Sequence, residues 1–287
     1  LSSYLFAVEP DNAAEEGGVS KVGTQRIRVS HIDSASSFYI TVEDADVATA
    51  LEELQAQGPS LEAVTPPIQS KAIYGIDFDG EWCRVRVDKI TKAEASEDDD
   101  TPPAAVTVDI SYVDFGNKEL AVPVDELRQL PAALAKLPST AVKAYLAFVK
   151  APADGREGSE AAGRLLSELA WEKDLVAELL PADDNGVPVI LFDAAESDAS
   201  QNTASADSDE NATNTSSAVA SVNEKFITQG LARVRRQRQR RGQASSPVAP
   251  KGPHAPLQRK LQTLERAAHN AHIGIWRYGD PGDFEDN

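Results

Sequence analysis

The chain has 287 residues, one cysteine, no methionine and a formal net charge of −18. That length holds one large or two small domains, while the lone Cys83 excludes an internal disulfide and any CxxC metal cluster, as expected of a reducing compartment. No run approaches the about 18 apolar residues of a membrane span, and the bulk acidity opposes nonspecific contact with nucleic acid. Because the sequence opens at Leu1 and lacks methionine, it is expected to be a piece of a longer protein.

Residues 1–23 read as a linker. In 24–43, "RIRVSHI" and "SFYITV" alternate in the manner of strands around "DSAS", which predicts a hairpin. In 44–66, "DADVATALEELQAQG" predicts a helix connecting two regions. It has acids in its first turn, Val47, Leu51 and Leu54 on one face, and Gly58 as its stop. Four short strands crowd 67–130, at about 71–76, 81–90, 105–113 and 117–122, which predicts a small antiparallel barrel. Region 131–193 offers a strand at 141–151, a helix at 159–171 and strands at 174–181 and 187–193. Residues 194–221 are rich in Ser, Ala, Asp and Asn; they cannot bury enough surface to offset ordering entropy and are expected to be disordered. An amphipathic helix over 222–234, a basic and Pro-rich insert over 235–256 and a last helix over 257–276 make up 222–280, before a tail at 281–287.

The stretch "SYVDFGNKEL" ends a strand with Tyr112, Asp114, Phe115, Gly116 and Asn117. Taken alone, it is either an ordinary hairpin turn or an aromatic pocket with a polar floor. With "DFDGEWCRVRV" upstream, it resembles the Tudor domain, whose pattern is F-x(n)-DG-x-W-Y-R-A followed by F-Y-x-D-Y-G-N. "VNEKFITQGLARV" and "LQRKLQTLERAAHNAHIGIWRYGD" resemble the C-terminal helices of the staphylococcal nuclease fold, and "VSHIDSASSFYITVED" resembles its first hairpin. This order is similar to the C-terminal region of Tudor–staphylococcal-nuclease proteins. The resemblance implies a β-barrel-dominated α+β fold, in which a Tudor (SH3-like) barrel is inserted into an incomplete OB-fold nuclease-like domain.

The resemblance also implies a cage for methylated arginine. Ring faces attract a poorly hydrated cation, and an amide can accept one N–H. Phe78, Tyr112 and Phe115 match the family's aromatics and Asn117 its amide. Cys83 stands where the family has a tyrosine, so the cage is three-sided. Gly116 fits the tight turn, Tyr74 is a further candidate ring, Asp114 a brace and Trp82 core. The implied partners are arginine-methylated proteins of RNA processing, such as Sm-like or Argonaute-family tails. The implied setting is RNA silencing (the RISC complex), splicing and transcriptional coactivation, in the cytoplasm and also the nucleus.

Catalysis is not expected of this segment. Active nucleases of the resembled type read I-D-G-D-T in the first hairpin. Here Asp33 matches the first Asp, but Ala35 replaces the second, a calcium ligand. The Asp-x-Pro-Glu base segment is absent, and no arginine lies between Arg164 and Arg233. The resemblance places calcium-dependent cleavage in upstream repeats, and no cofactor is expected here. His269 and His272 are spaced to chelate but read as a solvated helix face. An RNA-binding reading rests on Arg233, Arg235, Arg236, Arg238, Arg240 and Arg241, which could neutralise several phosphates; a solvated insert and a nuclear-localisation stretch are the alternatives.

Overall fold

The computed structural model describes residues 24–42, 44–92, 106–198, 219–235, 250 and 252–282. The expected linker 1–23, the acidic loop 97–103, and most of the low-complexity segment and the basic insert lie outside the described residues. Two compact units divide the described residues: 39–142 form one, and 24–38 with 143–282 the other. No described helix is long and apolar enough to cross a membrane.

Strands β1 (Thr24–Ser34) and β2 (Ser37–Val42) form the first hairpin. Ile27 and Val29 of β1 and Phe38 and Ile40 of β2 are buried, as the period-two alternation demands. Helix α1 (Ala45–Gln57) starts where the Asp44 carboxylate accepts the N–H groups of Asp46 and Val47 at 2.9 and 3.2 Å. Its fully buried Leu54 packs with Leu130, Leu134 and the ring of Trp82. The Gln55 amide donates to the Trp82 carbonyl and accepts from the Trp82 N–H, both at 2.8 Å. The helix is therefore built into the 39–142 unit rather than standing as a bare connector.

In that unit, β3 (Ile73–Phe78), β4 (Glu81–Lys92), β5 (Val106–Tyr112) and β6 (Lys118–Pro123) lie side by side in sequence order, all antiparallel. Register shifts at Val87/Lys89 and Val108/Ile110 mark bulges, which bend strands and tighten their twist. After the 3-10 turn Val124–Glu126, Arg128 returns along β3 and exchanges two backbone hydrogen bonds with Gly75, at 2.9 and 2.8 Å. The core of this small SH3-like barrel holds Tyr74, Ile76, Cys83, Val85, Val87, Val108, Ile110, Tyr112, Val122 and Leu127.

The remaining elements are α2 (Ala132–Ala135), β7 (Ala141–Leu146), β8 (Val149–Lys150), α3 (Ser159–Ala170), β9 (Leu175–Leu179), β10 (Val187–Asp193), α4 (Val222–Thr228), β11 (Arg233–Val234) and α5 (Ala255–Asn270). A closed five-stranded barrel runs β1-β2-β7-β10-β9, its β7–β10 pair parallel. The fully buried Asn223 of α4 ties the strands together, donating to the carbonyls of Ala147 and Val189 and accepting from the Leu191 N–H. The fold is thus the expected α+β, barrel-dominated class.

Several expected boundaries move. The strand expected over 141–151 breaks at Phe148, whose φ of 62° turns the chain. The helix expected over 222–234 stops at Thr228, because Gly230 (φ +63°) reverses direction beneath Ile273; a methyl there would lie 2.3 Å from the Ile273 carbonyl oxygen. The residues beyond it pair as β11 with β8. The last helix ends at Asn270 rather than 276, with His272 at φ 53° and a separate 3-10 turn, Gly274–Trp276. The expected disorder does not extend to its edges. Residues 194–198 are helical, and Ser221 caps α4 by accepting the Glu224 N–H at 3.2 Å.

Candidate functional site

The turn after β5 is held from within. The N–H groups of Phe115 and Gly116 donate to the Tyr112 carbonyl at 3.3 and 2.8 Å, and the Tyr112 N–H donates to the Asn117 carbonyl at 2.9 Å. Gly116 has φ +99°, a region that side chains disfavour, and a methyl on it would fall 2.1 Å from Cγ of Tyr39. Only glycine therefore lets the Tyr39 ring of β2 cover the turn.

Beneath the turn lies Asp114, which is buried as the brace that its position suggests. The Arg84 guanidinium, wholly buried, grips it with two bonds: Nε to Oδ2 at 2.9 Å and Nη2 to Oδ1 at 2.5 Å. The other Arg84 donors reach the carbonyls of Leu134, Leu137 and Pro138 at 2.9–3.0 Å, and the Thr140 hydroxyl donates to Asp114 at 2.9 Å. A buried ion pair tolerates its desolvation only when its remaining donors and acceptors are matched, as they are here.

Above this brace stand the rings. Phe78 is 51% exposed and Phe115 40%, whereas Tyr112 is only 2% exposed. Phe78 meets Tyr112 edge to face, with centroids 5.7 Å apart and planes at 77°. The Tyr112 hydroxyl donates to Glu119 Oε2 at 2.8 Å; burial first, then this hydrogen bond, raises the phenol's pKa and keeps it protonated. Asn117 is half-buried beside Gly116. Cys83 is buried, its thiol pushed up to about 12 by burial and then by the charges of Glu81, Asp114 and Asp77. It is a packed, protonated thiol without nucleophilic character.

The fold thus brings Phe78 against Tyr112 and sets Phe115 and Asn117 on the turn that follows. Tyr74 does not join them: it faces the core, its hydroxyl accepting the Gln69 N–H at 3.2 Å. Trp82, expected as core, is half-buried; a methyl on Gly58 would strike its ring at 2.1 Å. The motif comparison missed Tyr39, Glu119 and Arg84. Glu119 was legible as the acid after "GN", but Tyr39 lies in a distant hairpin and carries no local signal.

In the other unit, Ala35 is buried in its hairpin turn. Asp33 accepts from the Ser37 hydroxyl at 3.2 Å and lies 3.2 Å from His31 Nε2. Among the described residues no group of three or more His, Cys, Asp or Glu side chains could hold a metal ion. Arg233 departs from its expected phosphate-binding role. It is buried in β11, donates to Asp280 Oδ1 at 2.9 Å and to the Gly282 carbonyl, and lies 5.0 Å from the centre of the Trp276 ring. Arg235 stacks 4.4 Å over the Tyr145 ring. Arg236, Arg238, Arg240 and Arg241 lie outside the described residues. His269 packs edge-on against Trp276 at 5.1 Å, while His272 lies beyond the helix end.

The strand order, the D-G and F-G-N turns and the aromatic rim are those of the Tudor fold. Residues 21–147 match the family described as "Tudor domain". The chain's described fold is that of an extended Tudor region of the Tudor–staphylococcal-nuclease kind. The extended Tudor domain of Drosophila melanogaster Tudor-SN (p100) matches 88% of this chain and 99% of its own, at a TM-score of 0.64 and 19% identity. The human TDRD1 extended Tudor domain, solved in complex with a symmetrically dimethylated peptide, matches 76% and 93% of the two chains at a TM-score of 0.54 and 22% identity. Among sequence relatives, Ribonuclease TUDOR 1 of Arabidopsis thaliana is 24% identical over 92% of this chain, and RING finger protein 17 of Homo sapiens is 26% identical over 58%. The chain spans 25% of the first and 10% of the second.

Proposed function

We propose that this chain is a non-catalytic binding module that takes an arginine side chain of a partner's flexible tail at the rim of Phe78, Tyr112, Phe115 and Asn117. The observation that carries this reading is the exposure of two phenylalanine rings, 51% and 40%, around a tyrosine fixed by burial and by Glu119. Phe115 on the braced turn and Phe78 at the end of β3 offer apolar surface that a ligand can cover. A guanidinium suits them because it keeps its charge while shedding water readily, and a ring face contributes about 0.5–2 kcal/mol. The likeness to extended Tudor domains, one of them bound to a dimethylated peptide, supports the class of ligand.

The tails would come from arginine-methylated RNA-processing proteins, in the cytoplasm and also the nucleus, and the whole protein would carry nuclease repeats upstream that use calcium. Nuclease chemistry in this segment is not favoured, since Ala35 replaces the second acid. The arginine-run reading loses Arg233, whose buried guanidinium is already paired with the exposed Asp280 carboxylate. Titration of dimethylated and unmethylated Arg-Gly peptides into the isotope-labelled chain tests the proposal. Resonances of Phe78, Phe115 and Asn117 are expected to shift, and those of Phe78 and Asn117 to need about tenfold more peptide in Phe115→Ala. Shifts confined to the arginine run, or RNA digestion abolished by a calcium chelator, would overturn it.

A further inference from the structure

One face of the Tudor sheet carries more than rings. Residues directly opposite in an antiparallel pair share a face. The register sets Phe78 against Glu81, Ile76 against Cys83, Val85 against Tyr112 and Ile110 against Glu119. Phe78, Glu81, Cys83, Tyr112 and Glu119 therefore project to the same side across the four strands. Both glutamates are exposed. The Glu119 carboxylate stands at the hydroxyl end of Tyr112, and Glu81 stands opposite Phe78. Between them, where an aromatic wall would close the ring set, lies the small buried thiol of Cys83.

We propose that Glu81 and Glu119 replace that wall, so that the rim binds arginine largely through charge and N–H donation and separates methylated from unmethylated arginine only weakly. The inference rests on the arginine-capture reading above and adds the selectivity of the site.

The physical reason is a competition between two kinds of wall. An unmethylated guanidinium has five N–H donors, and each methyl removes one while lowering hydration. Ring faces reward the methyl group, because the cation then sheds less water on entering. Carboxylates reward the N–H groups, because charge-assisted and bidentate hydrogen bonds need them. A rim with one ring fewer and two flanking carboxylates moves the balance toward the unmethylated cation. Glu119 can serve in this way while bonded to Tyr112. The phenol occupies only one of its roughly four acceptor positions.

The test is calorimetric titration of the whole chain with one Arg-Gly peptide in unmethylated and symmetrically dimethylated forms, at low and high salt. The expected result is affinities within about threefold of each other, both falling with salt. Glu119→Gln and Glu81→Gln should weaken the unmethylated peptide more than the dimethylated one. The glutamine amide still accepts from Tyr112, so the fold is kept. Cys83→Tyr should raise the preference for the dimethylated peptide about tenfold. A wild-type preference above about tenfold for dimethylarginine, with the glutamine variants weakening both peptides equally, overturns the inference but leaves arginine capture standing. Failure of the folded chain to bind either peptide overturns arginine capture itself.

Discussion

Each unit buries an arginine, but the two use their cations differently. In the unit of 24–38 and 143–282, Arg233 lies over Trp276 and Arg235 over Tyr145, at 5.0 and 4.4 Å from the ring centres. Those rings already have their cation. In the unit of 39–142, the buried Arg84 turns to Asp114 and to three backbone carbonyls, while Phe78 and Phe115 face water. A ring paired with an internal arginine is part of the scaffold. A ring with part of its surface in water can also be met by a cation from outside.

The largest effect should come from removing the brace. Arg84→Met leaves Asp114 buried without its partner and should cost about 3–5 kcal/mol of stability in urea denaturation. A loss below about 1 kcal/mol would mean that the turn does not depend on the ion pair.

Two glycines sharpen the contrast next. Gly116→Ala meets Tyr39 and Gly230→Ala meets the Ile273 carbonyl, each at positive φ, so each should cost about 1–3 kcal/mol by thermal unfolding. Only Gly116→Ala should also weaken peptide binding. Equal binding loss in both variants would break the division of roles.

Phe115→Ala should reduce arginine-peptide affinity about tenfold by calorimetry. An unchanged affinity would remove Phe115 from the rim.

The smallest effect concerns Asp183. Partial burial works against its charge. The hydrogen bonds from Tyr145 (2.6 Å) and from the Asn185 and Gly186 N–H groups, with the nearby Arg235, outweigh that and lower its pKa. A carboxylate whose pKa is lower when folded stabilises the fold above its unfolded value, about 3.9, and loses that contribution as pH falls through the folded value. Asp183→Asn should therefore show a shallower loss of stability below about pH 4 than the wild type; superimposable acid-unfolding curves would contradict this.

Much of the architecture is legible in the residues taken locally. Alternation in "RIRVSHI", the acid-capped start of α1 and the turns at Asp79-Gly80 and Gly116-Asn117 depend on neighbours within a few positions, so they read directly as hairpins and a helix. The helix ends at 228 and 270 were not legible, because Gly230 and Gly274 pack backbone against backbone across a sequence gap.

Alone, then, the sequence determined the strand order of the Tudor sheet, the turn that carries Phe115 and Asn117, and the alanine in place of an acid in the first hairpin. The tertiary structure decided which rings stay exposed, that Tyr39 roofs Gly116, that Glu119 holds Tyr112, and that Arg84 and Arg233 are buried while Arg235 lies at the surface. These follow from burial and from partners far apart in the chain. No local pattern encodes them, since the free energy of burying a ring or a charge depends on what the fold brings to meet it.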